Sequence, residues 1–209
     1  MEDVLDLYAE PFDPKRPVVC LDEKSKQLLA DSRPSMPAKP GKVAIQDYEY
    51  VRKGTRNIFV AVEPKAGKHV TEVTAQRKKE HYAAFLERII TQEYPDAECI
   101  RFVQDNLNIH TEKSLIHAFG KRKTKRLMER AEFHFTPKHA SWLNMAEIEI
   151  GILSRQCLDR RIPNPRALQR EVDVWQLARN TLRRTIECKF TRQDADQKLG
   201  RHYVPKLLC

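Results

Sequence analysis

The sequence predicts an α/β fold: a mixed central sheet with helices on both faces, followed by a helical C-terminal extension. Three observations predict it. Two short apolar runs, 17–21 and 100–104, are bounded by polar residues in the way buried strands are. Two β-rich runs, 43–51 and 57–63, flank a connector containing Gly54 and read as an antiparallel hairpin. Downstream, strand-like and helix-like stretches alternate, which is the pattern that builds parallel pairs.

Taken in order, residues 1–16 read as a short helix or arm with a proline-rich lead-in at Pro11, Pro14 and Pro17. The first strand then runs to about Asp22. Residues 31–42 contain Pro34, Pro37, Pro40 and Gly41 and are too broken for regular structure. After the hairpin, residues 64–68 form a turn and 69–74 a short strand. From 78 to 94, Tyr82, Phe85, Leu86, Ile89 and Ile90 recur at helical spacing until Pro95. The strand 100–104 leads to Asp105 and to a helix over about 111–119 with Thr111 as N-cap. Residues 132–136 alternate at period two and stop at Pro137. A helix from 141 or 142 to about 161 follows, then Pro163-Asn164-Pro165. The last helix, about 165–187, buries Leu168, Val172, Trp175, Leu182 and Ile186. This is the element order of the RNase H-like fold. It divides the chain into an arm (1–16), a central α/β domain (17–162) and a helical extension (163–209).

At 209 residues the chain can bury one substantial core plus an appendage. A hydrophobic content of 41% and a charged content of 32% describe a folded domain with a heavily charged surface. The net charge of +9 favours a polyanionic partner, DNA or RNA. The excess concentrates at 113–130, where Lys113, Lys121, Arg122, Lys123, Lys125, Arg126 and Arg130 face the single acid Glu129. The run 121–126 reads either as a phosphate-gripping loop or helix end, or as a solvated face. Cys20, Cys99, Cys157, Cys188 and Cys209 form no C-x-x-C pair, so zinc-ribbon and thioredoxin-like chemistry find no support. Free thiols imply a reducing, cytoplasmic compartment. The acidic start lacks the layout of a signal peptide, and no run approaches the ~20 apolar residues of a membrane span, so no membrane partner is expected.

Function enters through three acids. Asp22 and Asp105 close the two apolar runs, where a carboxylate is held rigidly at the mouth of a sheet. Neighbouring strands lie ~4.8 Å apart, so two such aspartates can flank metal ions about 3.5–4 Å apart. Glu147, on the stretch from Trp142, completes an all-oxygen cage suited to Mg²⁺. Helical spacing puts Glu147 on a face with Asn144, Gly151 and Ser154, whereas Glu149 is flanked by Met145, Ala146, Ile152 and Leu153. Around these, Glu23 reads as a solvated neighbour. Asn106 either orients Asp105 or caps the next turn, and His110 and His139 either touch DNA or serve structure. Trp142 reads as a core anchor beside the site, with stacking on an unpaired base as the alternative, and Trp175 as core. A glycoside hydrolase also needs two carboxylates, but neither a third strand-end acid nor a basic surface.

Three blocks carry a resemblance. Val19-Cys20-Leu21-Asp22-Glu23-Lys24-Ser25, Gln104-Asp105-Asn106-Leu107-Asn108-Ile109-His110 and the stretch Thr136-Pro137-Lys138-His139-Ala140-Ser141-Trp142-Leu143-Asn144-Met145-Ala146-Glu147 resemble the signature blocks of insertion-sequence transposases of the IS-six-thirty group, relatives of the mariner elements. The resemblance spans about 17–160. It implies Asp22, Asp105 and Glu147 as the DDE triad, an RNase H-like fold, Mg²⁺ or Mn²⁺ dependence with two ions, and DNA cleavage followed by strand transfer into a TA-type target. It also implies self-association and nucleoid association. Members of the group carry an N-terminal helix-turn-helix region, and only about 16 residues precede the first strand here, so the expectation includes a separate helix-turn-helix polypeptide. The alternatives are a general RNase H-like nuclease or resolvase, and a transposase remnant that only binds DNA.

Overall fold

The computed structural model describes residues 1–34, 36–44 and 47–203; Cys209 and part of the expected 43–51 strand lie outside the described residues. Five strands make one sheet: β1 (Val18–Asp31), β2 (Tyr50–Glu63), β3 (Lys68–Thr74), β4 (Ile100–Gln104) and β5 (Ala131–Phe135). Their order across the sheet is β3-β2-β1-β4-β5. The first three strands are antiparallel, and β4 and β5 add parallel to β1. Because side chains alternate along a strand, the apolar residues of β1 serve two cores. Val19 and Leu21 point to a layer containing α2 (Lys79–Arg88) and α3 (Glu112–Met128), whereas Cys20 and Leu28 point to α1 (Glu2–Ala9), α4 (Ala146–Leu153) and α5 (Pro165–Leu182). The mixed sheet with helices on both faces is as expected.

Several elements differ from the sequence reading. Among the described residues the expected hairpin over 43–63 does not form: β2 runs on through 52–56 and pairs with β1 from Tyr50 to Val62 across one shift of register. The register shifts between Gln27 and Leu29, opposite Thr55 and Arg52, so Gly54 at φ +87° sits in a β-bulge, not a turn. For the same reason β1 does not stop at Asp22. Residues 23–27 are too polar to read as a buried strand, yet they pair with 55–59 of β2 and carry β1 onward, and only beyond Ser25 do β1 and β2 run as a two-stranded ribbon. Gly67 makes the expected 64–68 turn, at φ +61°.

The helix after Asp105 does not end at 119. It continues to Met128 across a break at Gly120 (φ 76°, ψ 166°), so the basic run is helical. The stretch 141–161 is three pieces: a 3-10 turn (Ser141–Leu143), α4, and a π segment (Ser154–Leu158). Trp142 is 49% exposed and meets Phe190 edge-on instead of anchoring the core. In α5, capped by the Asn164 side chain on Ala167 N–H, Leu168, Val172 and Trp175 are buried as expected. Leu182 is not, at 58% exposed, because the fourth stripe position is Arg179 and the helix stops at Arg183 in the left-handed region. Helix α6 (Arg192–Tyr203) lies in the helical extension but beyond the last apolar stripe that the sequence marks; Ala195 is buried, and Arg192 ion-pairs with Glu2 and Asp6 of α1. Helix α1 buries Val4, Leu5, Leu7 and Tyr8 in the core that α5 shares.

Candidate active site

The register of β1 against β4 sets the geometry. Val18 pairs with Arg101 and Cys20 with Val103, and one pleat further along the same face come Asp22 and Asp105. At that point β1 leaves β4 and continues with β2 alone, so Asp22 stands at an opening in the sheet. Asp105 follows the last residue of β4. The face they share is the one that α4 covers.

Helix α4 is fastened to this place by Asn144, which is 2% exposed. Its Nδ2 donates to the carbonyl of Leu21 (2.7 Å), the residue before Asp22, and its Oδ1 accepts from Ala146 N–H (3.1 Å) at the start of α4. Tyr8 adds a second tie, donating from its hydroxyl to Leu143 O (2.9 Å). Asn144 therefore fixes the distance between the aspartate strand and the glutamate helix. Asn144→Ala removes a buried cap and strands the Leu21 carbonyl, so it is expected to cost about 1–3 kcal/mol in denaturant unfolding.

Two glutamates on α4 have opposite surroundings. Glu147 is exposed in the first turn. Glu149 is wholly buried and bound by Arg179 (2.5 Å) and His69 (3.1 Å), so it belongs to the packing of α4 on α5 and β3. Of the two, only Glu147 presents its carboxylate to solvent. Its charge reaches Asp22: burial, together with the negative charges of Glu23, Asp105 and Glu147, pushes the Asp22 carboxyl up to about 7, although the Glu23 N–H donates to Oδ1 (2.7 Å). The sign for stability follows. Between about 4 and 7 the folded chain keeps a proton on Asp22 that the unfolded chain has released, so this group's contribution falls as pH rises through that window. In chelator, Asp22→Asn should flatten the fall of Tm between pH 5 and pH 8; equal slopes for both proteins would show that Asp22 is already ionised when folded.

Glu23 overturns its expected role. Instead of a solvated neighbour, its side chain is 3% exposed and its Oε1 lies 2.7 Å from Nε2 of His110, itself 1% exposed. The other ring nitrogen of His110 meets the main-chain oxygen of Asp105 at 3.0 Å and Asp105 Oδ1 at 2.8 Å. Burial alone would lower the imidazole, but the hydrogen bonds to Asp105 and Glu23 outweigh it and raise His110 to about 10. The Tyr82 ring packs against the imidazole at 4.7 Å. The only hint in the sequence is that Glu23 adjoins Asp22 and points to the opposite face.

The donor set suits a hard divalent cation. Asp22, Asp105 and Glu147 offer only carboxylate oxygens, and Asp105 Oδ1 is buried without a well-directed hydrogen bond, since His110 aims its Nδ1 at the main-chain oxygen. Among the described residues no group of three His, Cys, Asp or Glu side chains is drawn close enough to hold a metal ion. Like charges repel at close range, and Asp105 leans on His110.

The remaining candidates are dispersed. Asn106 is exposed, and its side chain makes no hydrogen bond among the described residues. His139 is exposed in a left-handed turn, φ 65°. Lys121, Arg122, Lys125 and Arg126 are exposed on α3, the layer opposite α4, and Lys123 is half-buried against Glu87 (2.5 Å). They follow Thr111 by 10 to 15 residues, beyond the break at Gly120.

The model of the DDE superfamily endonuclease family matches residues 17–169. This chain belongs to that family. The DDE domain also resembles solved structures of the Mos1 mariner transposase. These include its paired-end complex with Mn (18% identity, TM-score 0.58, covering 85% of this chain and 52% of that one) and its strand transfer complex (16%, 0.56, 85% and 51%). The isolated Mos1 catalytic domain also matches (14%, 0.55, 85% and 77%). At such identities the likeness is one of fold, and it is the RNase H-like fold of transposase catalytic domains. The chain spans about half the length of the Mos1 chains in the DNA complexes. No curated protein matches it. Among the described residues, no helix is long and apolar enough to cross a membrane.

Proposed function

We propose that residues 17–162 are the catalytic domain of a transposase of the IS-six-thirty group, which cuts DNA at element ends and joins the freed 3′-hydroxyl to target DNA. The reading is supported by placement: Asp22 and Asp105 come one pleat beyond the paired residues of β1 and β4, on the face covered by the helix that carries Glu147 and that Asn144 ties to β1. The three carboxylates would hold two Mg²⁺ or Mn²⁺ ions. Bound there, such ions would lower the pKa of the attacking water or hydroxyl and offset charge on the departing oxygen. Asp22 and Asp105 supply rigid donors from the sheet, and Glu147 a donor from solvent side. The protein's share is positioning and electrostatics, without a covalent intermediate. That Mos1 complexes were solved with Mn and with Mg supports the choice of ions.

DNA is the proposed partner, held by the basic surface that includes Lys121, Arg122, Lys123, Lys125 and Arg126; their place on α3, in the layer opposite α4, suits them to a flanking stretch of duplex. Self-association and nucleoid association are part of the same proposal.

The test is incubation of the full chain with Mg²⁺ or Mn²⁺ and a labelled duplex containing the element's own ends. Nicked and joined products are expected. Nicks without joining would mean a plain nuclease, and retention of DNA without cutting a binding remnant. DNA affinity should fall steeply with salt, each basic residue removed from α3 lowering the slope of log K against log salt by about 1.

A further inference from the structure

We propose that Glu23 is a positioning residue of the acidic site, which through its amide and its buried carboxylate, by way of His110, holds Asp22 and Asp105 in fixed relation. The inference rests on the proposed metal-binding role of Asp22 and Asp105 and names what orients them. Glu23 follows Asp22 on β1, so their side chains leave opposite faces of the sheet. From that place it touches Asp22 directly and reaches Asp105 through His110. Its backbone N–H donates to Asp22 Oδ1 (2.7 Å), on the side that α4 covers. Its carboxylate passes through the layer beneath, meets His110 Nε2 (2.7 Å), and His110 Nδ1 meets the main-chain oxygen of Asp105 (3.0 Å).

Burial makes this a built device. The side chains of Glu23 and His110 are 3% and 1% exposed, and a carboxylate so placed is costly unless it is held by a partner. Only one partner is present among the described residues: Oε2 is buried with no hydrogen bond, so the whole anchoring of the carboxylate runs through His110. The chain could have placed an apolar side chain here, as it does at Val19 and Leu21 on the same face. Asp105 lies beyond the last residue of β4, in a segment without ladder hydrogen bonds of its own, and its main chain needs a tie from outside the strand. The Glu23–His110 pair supplies it, and links the position of Asp105 to that of Asp22 across the gap where β1 and β4 part.

The experiment compares wild type, Glu23→Gln, Glu23→Ala, Asp22→Asn and Asp105→Asn in the full chain, with Mn²⁺ binding read from the free Mn²⁺ paramagnetic resonance signal. Metal-free DNA binding, Tm and nicking rates are measured alongside. Glu23→Gln keeps the shape and one acceptor oxygen, so it is expected to fold. Its Mn²⁺ affinity and kcat should each fall about 10–100-fold, as for other residues that orient metal ligands, with metal-free DNA binding unchanged. Glu23→Ala should lose more. A merely structural role would lower Tm without moving Mn²⁺ affinity in the folded variant, and that result overturns the proposal. If Asp22→Asn and Asp105→Asn themselves bind Mn²⁺ as wild type does, the metal-site reading fails and the role of Glu23 with it. If those two lose Mn²⁺ and Glu23→Gln does not, only the positioning role fails.

Discussion

Asp22→Asn, Asp105→Asn and Glu147→Gln are each expected to cut metal-dependent nicking by about 10³-fold or more, the scale seen when one member of a catalytic unit is removed. The three should do so without loss of fold, for different reasons. At Asp22 the amide removes a carboxyl that burial and three neighbouring acids already disfavour, so the metal-free protein should gain stability at alkaline pH. At Asp105 the main-chain oxygen that His110 grips is untouched by the substitution. Glu147 is exposed, and surface changes of this kind stay within about 0.5 kcal/mol. Rates should be measured as single turnovers on labelled duplex, with circular dichroism to confirm folding. Full activity in any one variant removes that residue from the site. Full activity in all three, with cutting still abolished by chelator, would place the metal elsewhere.

The sheet and its acids were legible because the signals were local. A run such as Ile100 to Gln104, all buried, announces a strand by composition alone, and the aspartate after it is then fixed at a strand end. Helix α2 was equally plain, since every residue of its apolar stripe is buried. Failures came where pairing, not composition, decides structure. Residues 23–27 are polar, yet they pair with 55–59 of β2 and extend β1, and no single-segment pattern reveals that. The glycine at 54 signals a turn and a bulge alike, and only the register tells them apart. Charged residues misled in the same way. Glu23 reads as a solvated neighbour until His110, from a distant part of the chain, makes its burial tolerable, and the partners Arg179 and His69 that hold Glu149 are equally invisible in its local pattern.

The largest effect on stability is expected at Glu149. Its carboxylate, 0% exposed, lies between Arg179 of α5 at 2.5 Å and His69 of β3 at 3.1 Å. Burial alone would raise its pKa, but His69 and Arg179 outweigh that and hold the carboxyl below the usual range. The same helix closes the outer edge of the sheet. Gln176 Oε1 accepts from the Thr71 N–H (2.5 Å), and Asn180 brackets His69, accepting from its N–H (2.7 Å) and donating to its carbonyl (2.8 Å). The edge strand β3 is thereby capped by side chains instead of being left open to another chain. Glu149→Ala leaves the Arg179 guanidinium buried without its counter-charge, a change worth about 3–5 kcal/mol. For a domain of this size that corresponds to a Tm fall of roughly 6–20 °C. Arg179→Ala should cost less, because His69 remains as a partner for the stranded carboxylate. Replacing both at once, Glu149→Leu with Arg179→Met, should recover most of the loss, since an apolar pair strands no charge. The pH dependence has a definite sign: the contribution of Glu149 is present above about 4.5 and disappears as pH falls through the lowered folded value, so acid should erase the difference between wild type and Glu149→Ala. A Tm within about 2 °C of wild type for Glu149→Ala at neutral pH would mean that water enters and solvates Arg179, and that apolar packing alone holds α4 and α5 on the sheet.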